Sequence, residues 1–358
     1  MSTPIGQRKA DHIALCATED VGFRGVTTLL EDVRLVHDAL PDMHADAIDL
    51  SVTLLGKKLR APILIAAMTG GTDEAGTINK KLAEIAEERG YGFGLGSQRA
   101  MHTRASTAPS YRVRDVAPTT LILGNVGVVQ ARQMSTDEVR QLVLEVGADA
   151  LCVHLIPAME LVQPGGDRDF TGGLETIQRL VEELGVPVIV KETGCGLSPQ
   201  LGKRLRAAGV TRVDVSGAGG TSWVGVETKR AESVGDQRAR SLGEALWDWG
   251  IPTAASVALL APLGFEAIVA TGGIATGLDV ARALALGASA AGMARPVLRA
   301  LHAGGRPEAR ALLDGVEAEL RAALLLTGCA NVRALQAAPR VLGPTLRAWV
   351  EQLGAPVA

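Results

Sequence analysis

Seven residues near the middle of the chain, His154-Leu155-Ile156-Pro157-Ala158-Met159-Glu160, bring together groups that could do chemistry. An imidazole and a carboxylate at this spacing could bind an anion, hold a divalent cation or move a proton. The residues between them are apolar. They follow Ala150-Leu151-Cys152-Val153, a buried-strand pattern, so His154 and Glu160 are expected where a strand ends. Lys191 closes a second apolar run, Val188-Ile189-Val190, where an ammonium could stabilise an anionic locus on a cofactor ring or form a Schiff base. A pair between Lys191 and Glu192 is disfavoured, because adjacent strand residues face opposite sides.

Two glycine pairs suggest an anion cradle. Thr271-Gly272-Gly273-Ile274 is followed by Gly292-Met293-Ala294-Arg295, a pattern that lets backbone N–H groups approach a phosphate. Gly219-Gly220-Thr221 offers a second cradle of the same kind. No Walker lysine pattern accompanies them, which argues against a nucleoside triphosphatase.

These residues need elements to position them. Short apolar runs at Pro62–Met68, Tyr91–Ser97, Thr120–Val126, Ala150–Leu155, Pro187–Glu192, Arg212–Gly217, Ala267–Gly273 and Ala290–Arg295 alternate with amphipathic stretches, the rhythm of repeated βα units. Eight such strands predict an α/β fold, a TIM (β/α)8 barrel with an N-terminal extension and a C-terminal helical tail. Ile251–Val257 reads as the start of a helix rather than a ninth strand, because the apolar run continues past Ala261. A doubly wound sheet is the competing architecture, but Met68 is followed by Thr69-Gly70-Gly71-Thr72 and not by a GxGxxG turn. The expected organisation is a single domain over 1–358, with an arm at 1–60, the barrel at 61–300 and the tail at 301–358. The charged stretch Gly225–Arg240 reads as a mobile loop, either a solvated excursion or a lid.

Composition narrows the partners. The chain has 358 residues with a formal net charge of −3, so no overall field recommends nucleic acid or an anionic membrane. Hydrophobic residues reach 47% but aromatics only 3%, so the core must be built from Ala, Val, Leu and Ile. Cys16, Cys152, Cys195 and Cys329 are widely spaced and form no zinc pattern, which fits a reducing cytoplasm. The N-terminus lacks the apolar core of a signal peptide, and no run reaches membrane-spanning length.

Read together, the strand ends resemble a known family, the type 2 isopentenyl diphosphate isomerases, which are flavin-dependent. The resemblance rests on Arg8-Lys9-Ala10-Asp11-His12-Ile13, Ala67-Met68-Thr69-Gly70-Gly71, Gly96-Ser97-Gln98-Arg99, Gly124-Asn125-Val126-Gly127, Lys191-Glu192, Gly219-Gly220-Thr221-Ser222-Trp223, Trp249-Gly250-Ile251-Pro252-Thr253 and Thr271-Gly272-Gly273-Ile274. It implies FMN bound by Met68, Thr69, Gly70, Ser97, Asn125, Lys191, Ser216, Gly220 and Thr221, with its phosphate on Gly272, Gly273, Ala294 and Arg295. It implies NADPH as reductant of the flavin and Mg2+ held at Glu160. A prenyl diphosphate substrate would meet Arg8, Lys9, His12, Arg99 and His154, with Ile156 and Met159 along its wall. His154, Glu160 and Lys191 are then the expected catalytic residues, and the implied assembly is a homo-oligomer, a tetramer or octamer, with Ala322–Leu326 compatible with a subunit contact.

The chain departs from that family at the opening motif. The family reads His-Leu-Asn-x-x-Gln-Glu, whereas the Asn and Gln positions here are Ile156 and Met159, neither of which can relay a proton. Gly165 and Ala275 stand where the family usually has Glu and often Arg. The alternative function is therefore a diverged member using the same reduced-flavin barrel on a more apolar prenyl or related substrate, oxidoreductase chemistry included. A 2-hydroxy-acid oxidase would need a His base and an Arg clamp at the sixth strand end, where Ser216-Gly217-Ala218-Gly219-Gly220-Thr221 offers neither. A flavin-binding protein without turnover is the remaining alternative.

Overall fold

A run of four apolar residues with small side chains can enter a closed sheet without overfilling it, and the eight expected runs do so. The computed structural model describes residues 4–354. Its eight barrel strands are Ile63–Ile65, Gly92–Gly94, Leu121–Gly127, Ala150–His154, Val188–Lys191, Arg212–Asp214, Ala267–Ala270 and Ala290–Met293. Each pairs in parallel with the next, and the eighth closes on the first through Ala291↔Ile63 and Met293↔Ile65. Most strands stop short of the expected ends, so Ala66–Gly71, Val215–Gly220 and Thr271–Gly273 lie beyond the ladders and form the mouth.

The barrel interior is filled by Leu64, Leu121, Leu123, Ala150, Cys152, Ile189, Ala267, Val269 and Ala290, a core with no aromatic ring. Leu54 and Leu59, from the hairpin Val52–Leu54 and Lys57–Leu59, pack into the same cluster and plug the end opposite the mouth. Such side chains each stabilise by about 1.5–3 kcal/mol when buried. Lys57 reinforces the plug with an ion pair to Asp149 at 2.8 Å.

The arm and the tail are stitched together. Val33–Leu35 pairs antiparallel with Arg340–Leu342, and the helix Pro4–Thr18 lies against the helices Trp223–Ser233 and Arg295–Leu325. The arm is tied to its own barrel where Phe23 donates to the Gly220 carbonyl and Ser222 to that of Val21. Thr253–Leu260 is helical and almost wholly buried, in keeping with a run that is apolar apart from Thr253 and Ser256.

Two expectations need correction. The stretch Gly225–Arg240 is not a mobile loop: it is the helix Trp223–Ser233, capped by Ser222, and the start of the helix Gln237–Leu246, capped by Asp236. Val226 and Ala231 are buried and Arg230 pairs with Asp11 and Glu227, while Glu232, Val234 and Arg238 at the join between the two helices are exposed. The eighth strand is followed by one helix from Arg295 up to Gly304 and Gly305, whose backbone is not helical, and a second helix continues to Leu325, so the helical tail begins near Pro307 as expected. The segment Ala322–Leu326 is what departs from expectation. Within Ala322–Leu326, Ala323 and Leu324 are buried in this chain's own core, which leaves Leu326 as the exposed large apolar residue of that segment.

Candidate active site

The mouth of the barrel opens into a cavity of about 520 Å3. Of the cofactor residues expected from sequence, Met68, Thr69, Ser97, Asn125, Lys191, Ser216, Gly220, Thr221, Gly272, Gly273, Ala294 and Arg295 line it. So do the substrate and metal candidates Arg8, Lys9, His12, Arg99, His154, Ile156, Met159 and Glu160. Gly70 is the exception. It is packed against the ring of Tyr111, where a Cβ would come within 2.0 Å of Cε1, so its role is to let the first loop pass that ring.

Lys191 is fixed by groups the sequence placed far apart. Its ammonium lies 3.2 Å from the Asp214 carboxylate and donates to the Glu192 carbonyl at 3.0 Å and to the Thr271 hydroxyl at 3.3 Å. Thr271 in turn donates to Asp214 at 2.6 Å. Three acceptors hold Nζ as a fixed cation, which suits charge stabilisation better than Schiff-base formation. The Glu192 side chain points elsewhere and accepts the N–H groups of Thr193 and Cys195, while burial pushes its carboxyl up to about 8. Asp214 was missed from sequence, although a carboxylate inside the apolar run Val213–Val215, in register with Lys191, was a usable signal.

The glycine pairs form one cradle and not two. A Cβ on Gly220 would come within 2.3 Å of the Gly273 nitrogen, and one on Gly272 within 2.2 Å of the Gly217 carbonyl oxygen. Gly219, Gly272 and Gly273 have φ of 107°, 96° and 77°, a region that favours glycine. On the wall of the same cavity, near Gly22 of the arm, Arg295 carries a buried Nη1 with no hydrogen-bond partner, and the Thr193 hydroxyl is likewise buried and unpartnered. Backbone donors, the Lys191 ammonium and a guanidinium with an unused donor in the same cavity fit an anionic, phosphate-bearing cofactor such as FMN.

A second group of cations gathers on the arm side. Lys9 donates to the Ser97 carbonyl at 3.0 Å and to Tyr111 Oη at 2.8 Å, and burial with Arg8 alongside brings its ammonium down to about 7. His12 meets the fully buried Glu227 at 2.6 Å, and Glu227 also binds Arg230. Burial alone would raise the Glu227 carboxyl, but His12 and Arg230 bring it below its usual range. His154 is held down to about 4 by burial and by Lys191.

Glu160 accepts the Asp167 N–H at 2.8 Å and the Gln163 amide at 3.1 Å, both on one oxygen. Burial raises its carboxyl above the usual range. Gln163 Oε1 is buried beside it without a partner. No cluster of three or more His, Cys, Asp or Glu side chains suited to a metal exists among the described residues, so a cation here would draw its remaining ligands from a bound anion. One carboxylate and an amide oxygen fit that arrangement for Mg2+.

Comparison with known proteins identifies the family. The model of the FMN-dependent dehydrogenase family matches residues 2–155 and 158–341. The isopentenyl-diphosphate delta-isomerase of Methanosarcina barkeri is 46% identical over 343 residues, covering 96% of this chain and 93% of that protein. Those of Nostoc sp. and Pyrococcus abyssi are 44% and 41% identical, covering 94% and 96% of this chain and 95% and 94% of their own lengths. Among solved structures, a mandelate oxidase variant superposes with a TM-score of 0.64 at 18% identity, covering 92% of this chain and 95% of its own, a likeness of fold.

Proposed function

The chain belongs to the FMN-dependent dehydrogenase family and, within it, to the isopentenyl-diphosphate delta-isomerases, and from that membership we propose that it is an FMN-dependent isomerase interconverting isopentenyl diphosphate and dimethylallyl diphosphate in isoprenoid biosynthesis. The observation that carries the reading is the single cavity in which a glycine cradle with Arg295 and Lys191 faces a cluster formed by Arg8, Lys9, Arg99 and His154.

The reaction moves a double bond: an alkene carbon gains a proton and the neighbouring carbon loses one, with no net redox change. Reduced FMN, when bound, supplies acid/base chemistry at its N5, with NADPH as the reductant that prepares it. Mg2+ at Glu160 would screen the diphosphate oxygens.

The protein's own residues bind and orient. Arg8, Arg99 and Lys9 grip the diphosphate by charge-assisted hydrogen bonds, worth about 1.5–3 kcal/mol each. His12, locked by Glu227, completes that wall. Lys191, braced by Asp214, stabilises negative charge on the cofactor ring. Ile156 and Met159 put apolar side chains on the wall between His154 and Glu160, and neither can relay a proton.

The cytoplasm and a homo-oligomer, a tetramer or octamer, are parts of the same proposal. No helix among the described residues is long and apolar enough to cross a membrane. The decisive test is anaerobic incubation of the purified protein with FMN, NADPH, Mg2+ and isopentenyl diphosphate. Formation of dimethylallyl diphosphate is expected; its absence with the flavin bound and reduced would overturn the reading.

A further inference from the structure

Tyr111 is fully buried and takes no place on the cavity wall, yet it touches the segments that build it. It follows the short helical turn Ala105–Ser110, where the Ser110 hydroxyl accepts the Gly71 N–H at 2.7 Å and the Ser110 carbonyl accepts the Asn79 amide at 2.9 Å. The ring is thereby anchored under the loop that Gly70 lets pass. Its hydroxyl donates to the Ser97 carbonyl at 2.7 Å and accepts from the Lys9 ammonium at 2.8 Å, which lies 5.2 Å from the ring centre. Lys9 also donates to the Ser97 carbonyl, at 3.0 Å, so the three groups close a triangle.

The direction of each bond follows from the chemistry. Burial raises the phenol above its ordinary range, so the oxygen keeps its proton, gives it to Ser97 and turns a lone pair to Lys9. Both acceptors of Lys9 are uncharged, whereas Lys191 rests on the Asp214 carboxylate. Two of the three ammonium donors are therefore fixed with the charge left unbalanced, and the third remains for an anion in the cavity that Lys9 lines. A carboxylate in place of the phenol would compete with that anion for the same charge.

We propose that Tyr111 is a positioning residue for substrate binding: its hydroxyl holds the Lys9 ammonium, brought in by the arm, against the Ser97 loop so that the free donor and the charge face the diphosphate. The inference rests on the reading that Lys9 meets a diphosphate. A lysine held before the ligand arrives has already given up the rotamer freedom that binding otherwise takes away. Gly70 belongs to the same device, since a Cβ there would displace the ring.

The experiment is a double-variant cycle, read by calorimetric titration of the FMN-loaded protein with inorganic diphosphate. Tyr111→Phe keeps the ring and deletes the hydroxyl, and Lys9→Met deletes the ammonium. Lys9→Met is expected to weaken diphosphate about 10–100-fold, and Tyr111→Phe about three- to tenfold, because Ser97 still holds Lys9. With Lys9→Met already present, Tyr111→Phe is expected to change that affinity less than about twofold, and in the otherwise native chain to change FMN affinity less than about threefold. With isopentenyl diphosphate, Tyr111→Phe should raise KM by the factor lost in diphosphate affinity and keep kcat within about twofold. Equal weakening by Tyr111→Phe in both backgrounds, an undiminished affinity in Tyr111→Phe alone, or a loss of FMN as large as that of diphosphate would overturn the proposal. Lys9→Met without effect on diphosphate would overturn the reading of Lys9 itself, and the role given to Tyr111 with it.

Discussion

His154 donates its Nδ1–H to the side-chain oxygen of Asn125 at 2.7 Å, and Asn125 uses its amide nitrogen on the Leu95 carbonyl at 3.1 Å. The amide is thereby committed, and its oxygen fixes which ring nitrogen carries the proton. With its pKa near 4, the ring is neutral at pH 7 and its Nε2 carries a lone pair. To donate to a diphosphate oxygen the ring must therefore gain a proton from solution. Binding of inorganic diphosphate at pH 7 is expected to take up protons, and His154→Gln to reduce that uptake while raising KM about 10–100-fold, the value of a hydrogen bond to a charged group. Calorimetry in buffers of different ionisation enthalpy, beside steady-state kinetics, checks both.

Lys9 sets a limit on the alkaline side. In the free protein its ammonium titrates near 7, so above that pH the side chain is neutral, whereas bound diphosphate favours the charged form. Affinity is therefore full below about pH 7 and lost as pH rises. We expect kcat/KM to fall about tenfold per unit above this point, with kcat nearly flat. Lys9→Arg should remove the decline, and a pH–rate profile across neutrality is the measurement.

Arg295 lines the same cavity as the glycine cradle and carries a buried nitrogen without a hydrogen-bond partner. Arg295→Met should weaken FMN about 10–100-fold through loss of one charge-assisted contact, without changing the affinity for inorganic diphosphate. Quenching of flavin fluorescence on titration reads the first quantity and calorimetry the second.

The Lys191–Asp214 pair is buried on both sides, each side chain 9% exposed. Asp214→Leu leaves an ammonium without its counter-ion and should cost about 3–5 kcal/mol, whereas Lys191→Met combined with Asp214→Leu should recover most of that loss. The double variant should then fold and yet bind reduced FMN poorly. Denaturant unfolding and anaerobic flavin titration separate the two effects.

Ile156→Asn with Met159→Gln restores polar groups to the wall. Turnover of isopentenyl diphosphate should rise by up to about 10²–10⁴-fold, the range spanned by a single proton-transfer group. An unchanged rate would show that the wall serves shape alone.

Most of the fold was legible because the strands announce themselves: buried parallel strands read as short apolar runs, and their polar ends form the site. The charged helix Trp223–Ser233 was not legible. Glu227, Lys229, Arg230 and Glu232 resemble a solvated loop in one dimension, and only the approach of His12 and Asp11 from the other end of the sequence turns Glu227 and Arg230 into a buried network.

The sequence by itself determined the barrel, the strand ends that bear the chemistry and the family, since these follow from local hydrophobic period and from motifs in order. Tertiary structure alone decided that Lys191 rests on Asp214, that the two glycine pairs are one cradle, that Gly70 serves a tyrosine ring, and that the same tyrosine holds Lys9. Each of these depends on a distance between residues remote in the chain. Closure of the sheet, which brings the first strand against the eighth, fixes those distances, and no run of neighbouring residues encodes them.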